Sequence, residues 1–145
     1  RIASPKNIAG VKEACGNMEQ ICETARRIRG KCDLYSGDDN LNLPILAIGG
    51  AGLISVASNI IPKETKELYN FVKAGDLKSA NEIQDKMLPL IDAMFMEVNP
   101  IPAKAAAEMI GLGGGAPRAP LTELEPAHKE QMRKILSDFG LNVIA

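Results

Sequence analysis

Lys12 is the residue of this chain best suited to covalent chemistry. It sits in Ile8-Ala9-Gly10-Val11-Lys12, whose alternation predicts a strand with Ile8, Gly10 and Lys12 on one face and Ala9 and Val11 on the other. If Ala9 and Val11 pack under helices, Lys12 faces a sheet interior or barrel lumen at the strand's C-terminal end. Gly10 below it leaves room for a ligand or a neighbouring group. A lysine desolvated in such a place favours its neutral amine, the form that attacks a carbonyl. The plainer alternative is a lysine that snorkels at a strand end and pairs with a carboxylate such as Glu13.

Other candidates are weaker. Ser36-Gly37-Asp38-Asp39 follows a second strand-like run, and its amides and glycine would let a small anion approach. The same residues suit an Asx turn leading into a helix cap. Gly49-Gly50-Ala51-Gly52 is glycine-rich enough to cradle a phosphate but precedes a strand, the wrong order for a dinucleotide fingerprint, so close backbone packing explains it better. Ile54-Ser55-Val56 ends a third strand, where parallel α/β architectures bind ligands, although apolar packing would also account for it. His128, the single histidine, lies on the exposed-looking part of the last helical segment and supports no Ser-His-Asp constellation. Cys15, Cys22 and Cys32 match no zinc spacing and leave one thiol over in any disulfide scheme, which favours a reducing, cytoplasmic setting. Met87, Met94 and Met96 suit core filling.

The elements that must position these residues follow from periodicity. Asn17 with Gln20 three residues on is a capping-box pattern for a helix carrying Ile21, Cys22, Ala25 and Ile28, with Gly30 at its C′ position. Cys32–Ser36 reads as the second strand. Asp39 or Asn40 would cap a short helix over Leu41–Ile48, and Ala51–Val56 is the third strand. Strand and helix alternate with short connections, so the strands are parallel. Beyond residue 60 only helices are expected. Pro62 opens one that ends at Gly75, and Asp76 caps a long one reaching Val98 with Pro89 bending it. Two more follow, Ala103–Ile110 and Pro126–Phe139.

Composition narrows the function classes. Seventeen basic against eighteen acidic side chains in 145 residues give a net charge of −1, which argues against a domain-wide nucleic-acid surface. Aromatic residues are 3% of the chain and Trp is absent, so base stacking and aromatic ligand cages are disfavoured. No apolar run has the ~18–20 residues that a bilayer span needs, so no membrane partner is expected. The opening Arg1–Asn7 has no Met and no apolar signal region, and three parallel strands make a poor complete sheet. The expectation is that the chain continues a longer one.

Taken together, Gly10–Asn17, Ser36–Asp39, Gly49–Val56 and the segment Asn99-Pro100-Ile101-Pro102-Ala103-Lys104 resemble the dihydrodipicolinate synthase family of pyruvate-dependent class I aldolases, from the sixth barrel strand to the C-terminus. The resemblance implies an α/β fold, the last three strands of a (β/α)8 TIM barrel over residues 1–60 and a C-terminal helical region over 61–145. It implies Lys12 as the Schiff-base lysine, and Ile54 and Gly37 as substrate-binding residues, Ile54 through its backbone. It implies no metal and no cofactor beyond the lysine imine with pyruvate. Pyruvate and aspartate semialdehyde are the implied substrates, in lysine biosynthesis, with a homo-oligomer (a tetramer in the family) at full length. The Asn-Pro-Ile-Pro-Ala-Lys segment favours the synthase subgroup over N-acetylneuraminate lyases and 2-keto-3-deoxy-gluconate aldolases, which would share Lys12. An inactive fragment is the non-enzymatic alternative. Cys15 stands where the family usually has Thr or Ser, and strands one to five of the barrel are not in this sequence.

Overall fold

The computed structural model describes residues 6–144, which divide into two compact units. The first runs up to Ser55 and takes in Lys66–Asn81; the second comprises Val56–Thr65 and the chain from Glu82 onward. The elements are β1 (Gly10–Glu13), α1 (Met18–Ile28), β2 (Asp33–Ser36), α2 (Asn42–Ala47) and β3 (Gly52–Leu53), then a 3-10 turn (Ala57–Asn59), α3 (Pro62–Ala74), α4 (Leu77–Ala93), α5 (Ile101–Met109) and α6 (Pro126–Phe139). The three strands form one parallel sheet in the order β1-β2-β3, with Lys12 opposite Tyr35 and Tyr35 opposite Gly52.

Apolar periodicity builds the first unit. Ile21, Ala25 and Ile28 of α1, Leu34 of β2 and Ile45 of α2 form a buried cluster, with Val11, Met18, Cys32, Leu41 and Ile48 packed against it. Burying each of its larger aliphatic side chains is worth about 1.5–3 kcal/mol. Because side chains alternate along a strand, using Val11 and Leu34 for this core leaves Gly10, Lys12 and Tyr35 on the other face.

The ends of α1 follow from named residues. Asn17 Oδ1 accepts the amides of Glu19 at 3.0 Å and Gln20 at 3.2 Å, and Gly30 adopts φ +75° just past the helix. Only this half of the capping box forms. The Asn17 amide turns to Cys15 Sγ instead. At α2 the expected cap is absent. Leu41 occupies the N-cap with no side-chain bond, while Asp39 is buried and spends its carboxyl elsewhere.

In the second unit, Pro126 at the first helical position and Gly140 at φ +101° bound α6 where the sequence places them. Pro102 falls in the first turn of α5, where its missing N–H leaves no helical bond unmade, so α5 begins two residues earlier than expected. The helix predicted to reach Val98 stops at Ala93. There the amides of Met94, Phe95 and Met96 bond carbonyls three residues back, so the α-helix tightens and ends, leaving Phe95 and Val98 exposed. Glu97 follows that stop, and one of its carboxyl oxygens accepts the Glu125 amide at 2.9 Å and meets His128 Nδ1 at 2.7 Å. The imidazole of His128 and then the Glu125 amide hold the Glu97 carboxyl below its ordinary value of 4.5. No helix among the described residues is long and apolar enough to cross a membrane.

Two expectations follow. Replacing Asn17 with Ala removes the acceptor for two orphan amides and lowers stability by about 1 kcal/mol, whereas Asn17→Asp retains most of it; urea unfolding followed by circular dichroism reads both. For Glu97, folding lowers the carboxyl's pKa, so its contribution is complete above the unfolded value of 4.5 and is lost as pH falls through the folded value. Glu97→Gln therefore lowers the urea midpoint clearly at about pH 7, and the difference shrinks toward about pH 3. A pH-independent difference would show that ionised Glu97 is not the cause.

Candidate active site

The chemistry-bearing residues of the first unit meet at the C-terminal ends of its three strands. Lys12 lies at the end of β1. It is exposed and makes no ion pair with any described residue. The packed core lies on the other face of the sheet, so Lys12 stands on the face that alternation assigns to it, beside Tyr35. The pairing of Lys12 with Glu13 is not found. Glu13 accepts the amides of Ala14 and Cys15, both at 3.0 Å, and its carboxyl is held below the ordinary glutamate value by the Cys15 thiol and then by those amides, against partial burial.

Gly10 does not leave an open space. A Cβ there would lie 2.7 Å from Tyr35 Cε2, and one on Gly52 would lie 3.6 Å from the other side of the ring. Tyr35 thus occupies the floor below Lys12, framed by two glycines.

Gly37 is fitted to Lys12 more tightly. A Cβ added at Gly37 would overlap the Lys12 side chain at Cε and approach its Cγ to 2.9 Å and the Ala14 Cβ to 3.0 Å. The Gly37 amide donates to Glu13 O at 2.7 Å, so the first residue after β2 is tied to the end of β1. Ser36, fully buried, ties β2 to β3 as its carbonyl accepts the Ile54 amide at 2.9 Å. Its hydroxyl donates to Asp38 O at 2.7 Å and accepts the Asp38 amide at 3.2 Å, which closes the corner locally. Ile54 itself is 51% exposed among the described residues. Lys12, Gly37 and Ile54 therefore sit on three neighbouring strand ends joined by main-chain hydrogen bonds.

From sequence, Asp39 and Ser55 are named separately but not joined. Ser55 Oγ donates to Asp39 Oδ1, and Asp39 is only 2% exposed. The signal was present, since an acidic residue three positions past one strand and a serine two past the next can meet across a parallel pair. Cap chemistry offered a simpler use for Asp39. The glycine-rich stretch serves close packing, as expected: Gly49 takes φ +101°, and a Cβ on Gly50 would come 2.7 Å from Ile45 O.

Among the described residues, Glu97, Glu125 and His128 form the one grouping with metal-ligand chemistry, their ligand atoms all within 4.8 Å of one another. Glu97 Oε1 already serves His128 and the Glu125 amide there, an arrangement that secures the start of α6.

Comparison with known proteins agrees with this geometry. Residues 1–139 match the model of the dihydrodipicolinate synthetase family. The 4-hydroxy-tetrahydrodipicolinate synthase of Caldicellulosiruptor bescii is 43% identical over 142 residues, which are 98% of this chain and 48% of that protein. The crystal structure of dihydrodipicolinate synthase from Aquifex aeolicus superposes with a TM-score of 0.94 at 38% identity, covering 99% of this chain and 49% of that one. The chloride-inhibited dihydrodipicolinate synthase from Acinetobacter baumannii, solved in complex with pyruvate, gives 0.92 at 35% identity, covering 97% and 48%. The chain spans about half the length of the curated relatives it matches. Its strands and helices correspond to the C-terminal portion of those TIM-barrel enzymes, and the chain belongs to the dihydrodipicolinate synthetase family.

Proposed function

We propose that this chain carries the Schiff-base half of a dihydrodipicolinate synthase, a lyase of lysine biosynthesis that condenses pyruvate with aspartate semialdehyde. The observation that carries the proposal is the unpaired Lys12 at a strand end, fitted against Gly37, with β2 alone between its strand and the exposed end of β3 at Ile54. In an α/β barrel, substrates are handled at the C-terminal ends of the strands, where all three residues lie. The relative from Acinetobacter baumannii, solved with pyruvate, supports a ketoacid as the ligand.

In this mechanism the neutral amine of Lys12 adds to the pyruvate ketone and water leaves, giving an imine. Its protonated form withdraws electrons, the pyruvate methyl loses a proton, and the resulting enamine forms a carbon–carbon bond to the aldehyde. Cyclisation through the semialdehyde's own amine then releases Lys12. Gly37 keeps the lysine's flank clear, and the Ile54 main chain borders the pyruvate. The lysine imine serves in place of a cofactor or a metal. Each proton transfer needs a positioned acid or base, typically worth 10²–10⁴-fold in rate. The proposal assigns those groups to the part of the relatives' length that this chain does not span. The proposal takes the whole enzyme as a cytoplasmic homo-oligomer, and the 145-residue chain alone as trapping pyruvate without rapid turnover.

Incubation with pyruvate and borohydride is expected to place one reduced pyruvyl group on Lys12, mapped by peptide mass spectrometry, with faster labelling when the N-terminal portion of a relative is added. Lys12→Arg abolishes the adduct, because a guanidinium does not form this imine. Labelling spread evenly over the other lysines would refute the assignment. Gly37→Ala forces the Lys12 side chain aside and is expected to slow labelling at least tenfold, an order taken from the cost of misplacing a reacting group. An unchanged rate in that variant would remove Gly37 from the site.

A further inference from the structure

We infer that Asp39 and Ser55 form a positioning pair that fixes the Ile54 main chain relative to Lys12; the inference rests on the Lys12 reading above. Asp39 stands before α2, where a free carboxyl would ordinarily cap the helix. Its main-chain carbonyl does accept the Asn42 amide at 3.3 Å, but the helix start receives no side-chain cap. The carboxyl instead reaches sixteen residues along the chain to the Ser55 hydroxyl. A buried polar side chain is costly to leave without a partner, so this exchange of a local cap for a distant one implies that the distant contact has a purpose.

The geometry indicates what that purpose is. β3 is two residues long, and its pairing ends as the Ile54 amide bonds Ser36 O. The peptide unit between Ile54 and Ser55 is the first one beyond the strand, and it bears the Ile54 carbonyl. On one side of this unit the preceding peptide is held through the Ile54 amide to Ser36; on the other, the Ser55 side chain is held to Asp39. Both anchors lie on the corner that also carries Gly37, the residue pressed against Lys12. The pair therefore locks the orientation of the Ile54 carbonyl to the position of the nucleophile. Neither Asp39 nor Ser55 touches the reacting atoms in this assignment, so both are positioning residues.

The test compares Ser55→Ala, Ser55→Thr and Asp39→Asn with the parent, reading the rate of borohydride-trapped pyruvyl label on Lys12 at saturating pyruvate, per folded chain. Ser55→Ala is expected to lose about 10- to 100-fold, the scale of a sub-ångström to ångström misplacement. Ser55→Thr keeps the hydroxyl and Asp39→Asn keeps an acceptor oxygen, so both should stay close to the parent. Urea midpoints are measured alongside. A Ser55→Ala protein that labels at the parent rate, or whose rate loss only tracks its unfolded fraction, overturns the inference. Absence of label in the parent would instead overturn the Lys12 assignment. The pair is then judged by amide exchange at Ile54, which Ser55→Ala should accelerate and Ser55→Thr restore; unchanged protection overturns it.

Discussion

The middle strand has to hold the ends of both its neighbours, and it does so through two consecutive residues. Ser36 receives the last amide of the β2–β3 ladder, and Gly37 sends its own amide to the last carbonyl of β1. These bonds set the spacing between Lys12 and Ile54. The demand on this corner explains its composition. A buried serine satisfies its hydroxyl on the next residue but one, and a glycine stands where any Cβ would collide with the lysine. Asp39 then extends the same corner to Ser55.

The face opposite the core shows what this arrangement demands of the rest of the unit. Val11 and Leu34 must face α1 and α2 to bury the Ile21–Ile45 cluster, and a one-residue slip would turn Lys12 into that apolar layer. Tyr35 fills the space that Gly10 and Gly52 leave, giving the Lys12 face a rigid floor at little cost in conformational entropy. Hydrophobic patterning thus decides which way the nucleophile points, and the glycines decide how closely its neighbours approach.

Much of this was legible in the sequence wherever local chemistry decides the outcome. Asn17, Gly30, Pro62, Asp76, Pro126 and Gly140 bound their helices as capping and backbone rules require, since each acts within four residues of itself. The parallel order of the strands followed from their short helical connections. Legibility failed where a distant partner competes. Asp39, like Asn40, suits a cap by local rules, and its partner Ser55 is sixteen residues away. Lys12 falls on the face that alternation assigns to it, opposite the packed core, and alternation gives that side of the sheet without saying what covers it. The partnership of His128 with Glu97 joins two segments 31 residues apart, and no periodic signal links them.

The central claim is spatial: pyruvate bound to Lys12 lies against the corner that Ser36 and Gly37 create and beside the Ile54 main chain. A crystal structure of the pyruvate-treated, borohydride-reduced protein tests it most directly. The account predicts density for the reduced pyruvyl group continuous with Lys12 Nζ, flanked by Gly37 and by the Ile54 backbone, with Ser55 still bonded to Asp39. A pyruvyl group on Lys12 turned away from both strand ends, with the Ser36–Asp39 corner unchanged, would contradict it.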